Sequence, residues 1–212
     1  MHQFSLFRQF VILLLFFGFE SGYALQILPV KEEFVCEVYS PEDELPVELL
    51  DEARRMYFEA YMHPALHLEV PFKELGIDPN RFSSYEEYIG DMFQRDFGGY
   101  SGCDKGGVHY FQLRCKVDGS VVGVCVVLEK EVPGYYYIDH IGIHWKFRQQ
   151  GLAGSLMKEM VECLDDFVEI SLDTRVFNFP AQGFYEKWGF EKLAVHPCAV
   201  KQSTYFHYIL RK

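Results

Sequence analysis

The chain has 212 residues, 49% hydrophobic and 17% aromatic, and its 31 acidic and 20 basic side chains give a formal net charge of −11 at neutral pH. This apolar content suffices for one sizeable hydrophobic core, so we expect a single main domain. An acidic chain offers no basic face long enough to hold a phosphate backbone, which excludes nucleic acid as an expected partner. The same charge would attract cationic molecules such as amines, although many proteins are acidic simply for solubility.

The cysteines are spread along the chain and form no Cys-x-x-Cys pair, so we expect neither a zinc site nor a thioredoxin-like motif, and no metal. Those within strand-like or helical apolar patterns are expected to be small buried hydrophobes with free thiols. Their even number leaves a disulfide-linked fold open as an alternative. They are Cys36, Cys103, Cys115, Cys125, Cys163 and Cys198.

Residues 1–24 have the pattern of a signal peptide or hydrophobic targeting segment. Arg8 precedes an apolar run, FVILLLFFGF, and the small residues Gly22 and Ala24 stand where a signal peptidase prefers them. The run is shorter than the roughly 20 residues that a membrane-spanning helix needs. We therefore expect export with cleavage after Ala24. An uncleaved membrane anchor, a buried helix or a misassigned start codon are the alternatives.

The first half of the remaining chain predicts strand, helix and helix. Phe34–Tyr39 alternates like a strand, and residues 47–62 repeat apolar positions at helical spacing after Pro46. A serine followed three residues later by glutamate predicts a second helix from Ser83 to about Phe97. Residues 100–107 are turn-rich, and we expect this loop to face a substrate entrance.

The second half predicts a hairpin followed by alternating strands and helices. Asp118-Gly119 is a strong hairpin signal between the apolar strands 109–117 and 120–130. The later elements are a strand over 135–144, a helix over 151–166, a strand over 168–175, a helix over 179–188, and strands over 190–196 and 204–212.

This order, together with the segment Arg148-Gln-Gln-Gly-Leu-Ala153 directly after a strand, resembles the GCN5-related N-acetyltransferase (GNAT) superfamily over residues 30–212. The segment is similar to that family's Arg/Gln-x-x-Gly-x-Gly/Ala signature. The resemblance implies an α/β (mixed α+β) acyl-CoA N-acyltransferase fold, in which a mostly antiparallel twisted sheet is flanked by helices. It also implies that an acetyl group moves from acetyl-CoA to a primary amine by direct attack in a ternary complex.

The physical basis of the signature is anion binding. A helix N-terminus leaves N–H groups unpaired and carries a partial positive charge, so main-chain donors of residues 149–154 can hold a pyrophosphate. Small residues in this loop let the phosphate oxygens approach the backbone. The residues implied to bind the coenzyme are Ile141, Gly142, Ile143, Arg148, Gln149, Gln150, Gly151, Leu152, Ala153, Gly154, Asn178 and Tyr185.

A second segment, running from Asn178 through Tyr185 to Phe190, resembles the family's Asn-x-x-Ala…Phe-Tyr…Gly-Phe pattern. The resemblance implies that Asn178 bonds the coenzyme arm and that Tyr185 returns a proton to the leaving thiolate. Two positions depart from the pattern. Trp145 stands where proline is frequent and Gln149 where glycine is common, so we expect the turn to differ in detail.

The general base is expected on the strand over 135–144, because the resemblance implies a carboxylate there. Asp139 and its neighbour His140 are the candidates. Strict alternation places Asp139 with Ile141 and Ile143 on one face and His140 on the other, so only one of the two would point at the reaction. A backbone N–H near Ile143 would stabilise the oxyanion. The choice of base stays open at this point.

Two other functions remain as alternatives. One is a non-catalytic acyl-CoA-binding or regulatory module of the same fold, since fold alone does not establish activity. The other is an exported, disulfide-stapled binding protein. We expect the partners to be acetyl-CoA and an amine, with membrane contact only through an uncleaved residue 1–24 segment, in a monomer or homodimer. Export conflicts with the intracellular location of acetyl-CoA unless the protein acts in a cytoplasm, its own or a recipient cell's.

Overall fold

The computed structural model describes residues 26–31, 33–43, 47–61, 80–84, 86–88, 90–91, 107–176, 178–198 and 203–212. The expected targeting segment and nearly all of the expected entrance loop therefore lie outside the described residues. The expected second helix is seen only at its start, where the Glu87 N–H donates to Ser84 Oγ at 3.1 Å and Glu87 Oε2 accepts from the Ser83 N–H at 2.7 Å. The first bond is the N-cap half of a capping box, whereas the Glu87 carboxylate bonds the residue before the N-cap instead of the N-cap itself.

The described strands form one eight-stranded sheet in the order β1-β2-β3-β4-β5-β6-β8-β7, in which only β5 and β6 are parallel. This arrangement confirms the expected mixed fold and adds one strand, β1, that was not predicted. The strands are β1 Gln26–Lys31, β2 Phe34–Tyr39, β3 Val108–Cys115, β4 Val121–Glu129, β5 Tyr135–Ile143, β6 Glu169–Arg175, β7 Glu191–Cys198 and β8 Ser203–Arg211.

Besides the start of the expected second helix, three helices accompany the sheet in the described residues: α1 Val47–Tyr61, α2 Leu152–Cys163 and α3 Phe179–Lys187. A short 3₁₀ turn, Trp145–Phe147, connects β5 to the loop before α2. The hairpin between β3 and β4 forms as predicted. Its Gly119 adopts φ +71°, the left-handed conformation that glycine reaches without a Cβ clash.

The two faces of the sheet are covered by different helices. On α2, Leu152, Leu156 and Met160 recur every fourth residue, are almost fully buried, and belong to the main hydrophobic cluster. That cluster includes Cys125 and Val127 of β4 but none of the buried residues of α1. Because α1 also contacts β4 and β5, it covers the opposite face. Both faces of β4 are thus buried.

A β-bulge in β5 changes which side chains share a face. Val127 pairs with Ile138 and Val126 pairs with His140, so Asp139 is an extra residue without its own partner on β4. The expectation of strict alternation is therefore wrong at this point. The bulge brings His140 Nε2 to 3.5 Å from Asp139 Oδ2, so the two candidate bases lie together instead of on opposite faces.

The parallel pair β5–β6 separates partway along. The two strands pair from Tyr135 with Glu169 to Ile138 with Leu172. Beyond these residues β5 continues to Ile143 and β6 to Arg175, but the two strands no longer pair with each other. Where the two strands diverge, their facing main-chain N–H and C=O groups no longer bond to each other. The fold therefore contains a gap in the middle of the sheet, beginning at the bulge.

Candidate functional site

The loop between β5 and α2 leads into a helix N-terminus whose backbone N–H groups a ligand can approach closely. Gly151 is the N-cap residue at φ +79° and makes no side-chain cap bond. The first bond along the helix runs from the Ser155 N–H to the Gly151 carbonyl at 3.1 Å. The N–H groups of Leu152, Ala153 and Gly154 consequently have no acceptor within the helix and can donate to an anion.

The backbone conformation of Gln149 explains why glycine is common at this position of the motif. Gln149 has φ +61°, the left-handed region that non-glycine residues occupy only at a cost of about 1–2 kcal/mol. The departure noted in the sequence thus leaves the turn in the conformation that a glycine would adopt.

A cavity of about 310 Å³ lies over this helix N-terminus. It brings together most of the residues expected to bind the coenzyme and adds others that the sequence did not suggest. Lys187 and Trp188, from the end of α3, and Phe147 are the additions that matter, because a lysine supplies positive charge and the rings supply apolar walls. The lining is Ile143, Phe147, Arg148, Gln149, Gly151, Leu152, Ala153, Gly154, Phe184, Lys187 and Trp188.

His144 anchors the start of the loop to α1. The Lys146 N–H donates to His144 Nδ1 at 3.2 Å, which places the ring proton on Nε2, and Nε2 lies 2.9 Å from Glu59 Oε2. The imidazole also stacks on Trp145. The tryptophan that replaces the frequent proline therefore packs against the imidazole of His144.

Alternate main-chain groups of β5 beyond the bulge face the gap. The His144 N–H donates to the Val122 carbonyl on β4 at 2.8 Å, so alternation directs the main-chain groups of Ile141 and Ile143 away from β4. In agreement, the Ile143 carbonyl accepts a bond from Arg148 Nε at 3.3 Å. Ile141 and Ile143 are thus suited to pair with a ligand in the gap, whereas the main chain of Gly142 faces β4.

Tyr185 lies level with the point where β5 and β6 separate, although it is not part of the cavity lining. Its ring is 5.8 Å from that of Tyr208, which pairs with Leu172, the last residue of β6 that is paired with β5. The residue is 7% exposed and belongs to the main hydrophobic cluster. Asn178 begins α3 without using its side chain as a cap, so the amide is not committed to the helix.

On the α1 side, carboxylates flank the entrance to the gap. Asp139 and Asp173 are the first residues of β5 and β6 beyond the last paired positions. Asp173 Oδ1 lies 2.7 Å from His207 Nδ1, and its Oδ2 accepts from the Tyr137 hydroxyl at 3.3 Å. Sequence reasoning missed Asp173 and His207, whose only signal was a polar residue in each of two predicted strands.

Tyr137 interacts electrostatically with the two carboxylates at the gap, Asp139 and Asp173. The pKa of Tyr137 is raised above its usual value by burial first and then by the negative charges of Asp173 and Asp139. Tyr137 therefore stays a neutral hydrogen-bond donor that supports Asp173. A pair of carboxylates with a histidine at the mouth of the gap is an environment that attracts an ammonium group and can accept its proton.

The described cysteines support neither covalent catalysis nor a disulfide framework among themselves. Cys36, Cys115, Cys125 and Cys163 are free thiols. Burial raises the pKa of Cys36 to about 12 and that of Cys125 further, so both are poor nucleophiles. Within the described ranges, no three His, Cys, Asp or Glu side chains are placed to hold a metal ion. No helix in that same part of the chain is long and apolar enough to cross a membrane.

The sheet that opens beside a helix N-terminus, with helices on both faces, is the GNAT fold that the sequence led us to expect. The sequence model of the Acetyltransferase (GNAT) family matches residues 48–190. The chain belongs to this family.

Similarity to individual proteins is more limited. The L-amino acid N-acetyltransferase AaaT of Escherichia coli is 37% identical over 87 residues, which are 38% of this chain and 52% of AaaT. The chain thus spans about half the length of this curated relative.

Two solved structures share the fold at low sequence identity. The PaiA N-acetyltransferase of Thermoplasma acidophilum, in complex with coenzyme A, has a TM-score of 0.54 at 13% identity, over 82% of this chain and 99% of that one. The ribosomal-protein-S18-alanine N-acetyltransferase of Escherichia coli has a TM-score of 0.51 at 15% identity, over 82% of this chain and 93% of that one.

Proposed function

We propose that this protein is an N-acetyltransferase that transfers the acetyl group of acetyl-CoA to a primary amine by direct attack in a ternary complex. One observation carries the proposal: β5 and β6 separate after Ile138 and Leu172, and the gap is bounded by Asp139 and Asp173 at its start and, further along β5, by Ile143, which lines the cavity at the α2 N-terminus. The coenzyme and an amine can therefore enter from different sides and meet within the sheet.

The coenzyme side fits a pyrophosphate. The N–H groups of Leu152, Ala153 and Gly154 point out of the helix, and the side chains of Arg148 and Lys187 line the same cavity. A Cβ on Gly154 would meet only Trp188, at 3.9 Å, so the backbone there is open to close approach. Acetyl-CoA supplies a thioester, whose carbonyl carbon is the electrophile.

The groups at the opening where the amine enters must remove a proton from the substrate ammonium group. An alkylammonium has a pKa of about 10.4 and cannot attack until it is neutral. Asp139 and His140, from the bulge, and the Asp173–His207 pair are the groups that surround the opening and can accept that proton directly or through water. The carboxylate of Asp173 holds the proton of His207 on Nδ1, which leaves Nε2 as an acceptor.

The chain's remaining role is to position the reactants and return a proton. Main-chain N–H groups of Ile141 and Ile143 face the gap, where they can bond a carbonyl oxygen. As the amine nitrogen bonds to the carbonyl carbon, the carbon–sulfur bond breaks, and the thiolate takes a proton. Tyr185, beside the start of the gap, is the proposed donor.

The test is release of free coenzyme A thiol by the full-length chain with acetyl-CoA and a panel of acceptors. The panel contains amino acids, peptide N-termini, polyamines and aminoglycosides. We expect amine-dependent thiol release with one class and a product heavier by one acetyl group in mass spectrometry. Tight binding of acetyl-CoA without thiol release by any member would instead favour a non-catalytic acyl-CoA-binding module.

A further inference from the structure

Arg175, the last residue of β6, lies on the same face of the sheet as the carboxylates at the entrance to the gap. Ile170 and Leu172 belong to the main hydrophobic cluster under α2, so the alternate residues Asp173 and Arg175 face the α1 side. Two residues along a strand span about 6.6 Å. A small molecule that contacts the Asp173 carboxylate can therefore also reach the guanidinium.

Two tyrosine hydroxyls hold the guanidinium in this position. Arg175 Nη2 donates to the hydroxyl of Tyr88, at the start of the second helix, and Nε donates to the hydroxyl of Tyr205 at 3.4 Å. The guanidinium carbon also lies 5.5 Å from the centre of the Tyr88 ring, and both tyrosines are buried. Neutral hydroxyls orient a guanidinium without neutralising its charge. The face therefore carries an oriented cation beside the entrance.

Arg175 belongs to the same cluster as the candidate bases. On β8, Tyr205 pairs with Arg175 and His207 pairs with Asp173, so the four side chains form two adjacent cross-strand pairs. The pKa of Tyr137 is raised by burial first, then by the two carboxylates at the gap, and also by Tyr205. The arginine is therefore part of the acceptor opening and not a separate surface.

The charges at this opening are mixed. Asp139 and Asp173 attract an ammonium group, but they would repel a carboxylate on the same molecule. Arg175 offsets that repulsion toward the end of β6, because a guanidinium binds a carboxylate through two parallel N–H donors. A second ammonium group would instead meet the like charge of Arg175. The opening thus matches a molecule with one ammonium and one carboxylate better than it matches a polycation.

We propose that the acceptor is a free amino acid, whose carboxylate bonds Arg175 while its amino group lies at Asp139 and Asp173. This inference rests on the proposed acetyl transfer and names the class of its acceptor. Arg175 determines specificity and exchanges no proton, and the hydroxyls of Tyr88 and Tyr205 position its guanidinium. The product is an N-acetyl amino acid that keeps its carboxylate.

The experiment measures thiol release by the full-length chain with acetyl-CoA and matched pairs of acceptors. Each pair is a free L-amino acid and its C-terminal amide, with apolar, aromatic and polar side chains represented. The amide lacks the negative charge and its amine is less basic, so amine reactivity alone would favour the amide. We expect kcat/KM for the best free amino acid to exceed that of its amide about tenfold or more.

Variants assign the preference to Arg175. Arg175→Gln should lower the acid-to-amide ratio of kcat/KM about tenfold or more, mainly by raising KM for the acid. A ratio measured within one variant does not depend on how much of that variant is folded. Arg175→Lys keeps the charge but not the planar guanidinium, and it should retain part of the preference. Arg211→Gln is the matched control, because Arg211 pairs with Glu169 at the opposite end of β6 and should leave the ratio unchanged.

The outcomes separate this inference from the proposed function. Equal kcat/KM for acids and amides in the wild type would overturn the inference, and so would an unchanged ratio in Arg175→Gln. Preferred turnover of polyamines, aminoglycosides or peptide N-termini would overturn it while leaving acetyl transfer intact. Absence of thiol release with every amine would refute the proposed function and this inference with it.

Discussion

His207 Nδ1 lies 2.7 Å from Asp173 Oδ1, across the antiparallel pair β6–β8 and immediately beyond the last paired residue of the β5–β6 interface. Tyr137 donates to the other carboxylate oxygen. This arrangement fixes both the orientation and the tautomer of the imidazole at the opening where an amine would enter.

We predict that Asp173→Asn lowers kcat for the preferred amine by about 10 to 100-fold, because the imidazole loses the partner that holds its proton on Nδ1. The dissociation constant of acetyl-CoA should change less than twofold. Steady-state kinetics over pH 6 to 9, together with calorimetry, measures both quantities. Asp118→Asn, the same substitution in the exposed β3–β4 turn, is the control. Wild-type turnover in Asp173→Asn at every pH would remove the Asp173–His207 pair from the reaction.

We predict that Gly151→Glu abolishes acetyl-CoA binding, because it places bulk and negative charge where the pyrophosphate would lie. Gly151 has φ +79°, so any side chain there also strains the backbone. Gly119→Glu separates the two effects, since Gly119 has φ +71° in a distant turn with open space around it. Calorimetry should show binding in the Gly119 variant and none in the Gly151 variant. Equal affinity in the two variants would contradict the assigned phosphate loop.

We predict that Tyr185→Phe reduces turnover about 10² to 10⁴-fold, the usual span for a positioned general acid, with acetyl-CoA affinity nearly unchanged. The ring packs in the core and phenylalanine preserves that packing. Tyr208→Phe is the neighbouring control, because its ring contacts Tyr185 but its hydroxyl bonds Glu186. If Tyr185→Phe turns over as fast as the control, the proton must come from elsewhere, such as water.

We predict that Glu159→Gln stabilises the ligand-free protein increasingly as the pH rises from about 4.5 toward 7. The folded-state pKa of Glu159 lies above its ordinary value of 4.5, so the folded chain binds more protons than the unfolded chain in the window just above that value. Ionising this group therefore costs stability as the pH rises through its folded pKa. Urea unfolding of both proteins at several pH values measures the difference, and a difference that does not vary with pH would contradict the prediction.

We predict that the chain is cleaved between Ala24 and Leu25 when it is expressed in its native host, because Gly22 and Ala24 fit the small-residue rule of signal peptidases. Mass spectrometry of the N-terminal peptide measures the outcome. A soluble cytosolic protein that retains Met1 would contradict export through this segment.

The local sequence determined turns, helix ends and buried helix faces, because these features depend only on residues close together in the chain. Asp118-Gly119 defines a hairpin because its turn needs a left-handed glycine, and Gly151 marks the helix N-terminus for the same conformational reason. The apolar spacing of α2 predicted a buried helix face, and the structure buries it. The order of these elements, together with the resemblance to the GNAT family, predicted the fold, and phosphate binding by the loop before α2 stays a prediction.

Tertiary structure alone decided which polar groups meet. Asp173 and His207 are 34 positions apart and come together only because β8 inserts beside β6. The bulge at Asp139 depends on the register with β4, which alternation within one strand cannot reveal. The low exposure of Glu159 likewise follows from packing α2 against β3 and β4, which the position of the residue on the helix does not reveal. Such groups are brought together by long-range pairing, whose register is not encoded in any local segment.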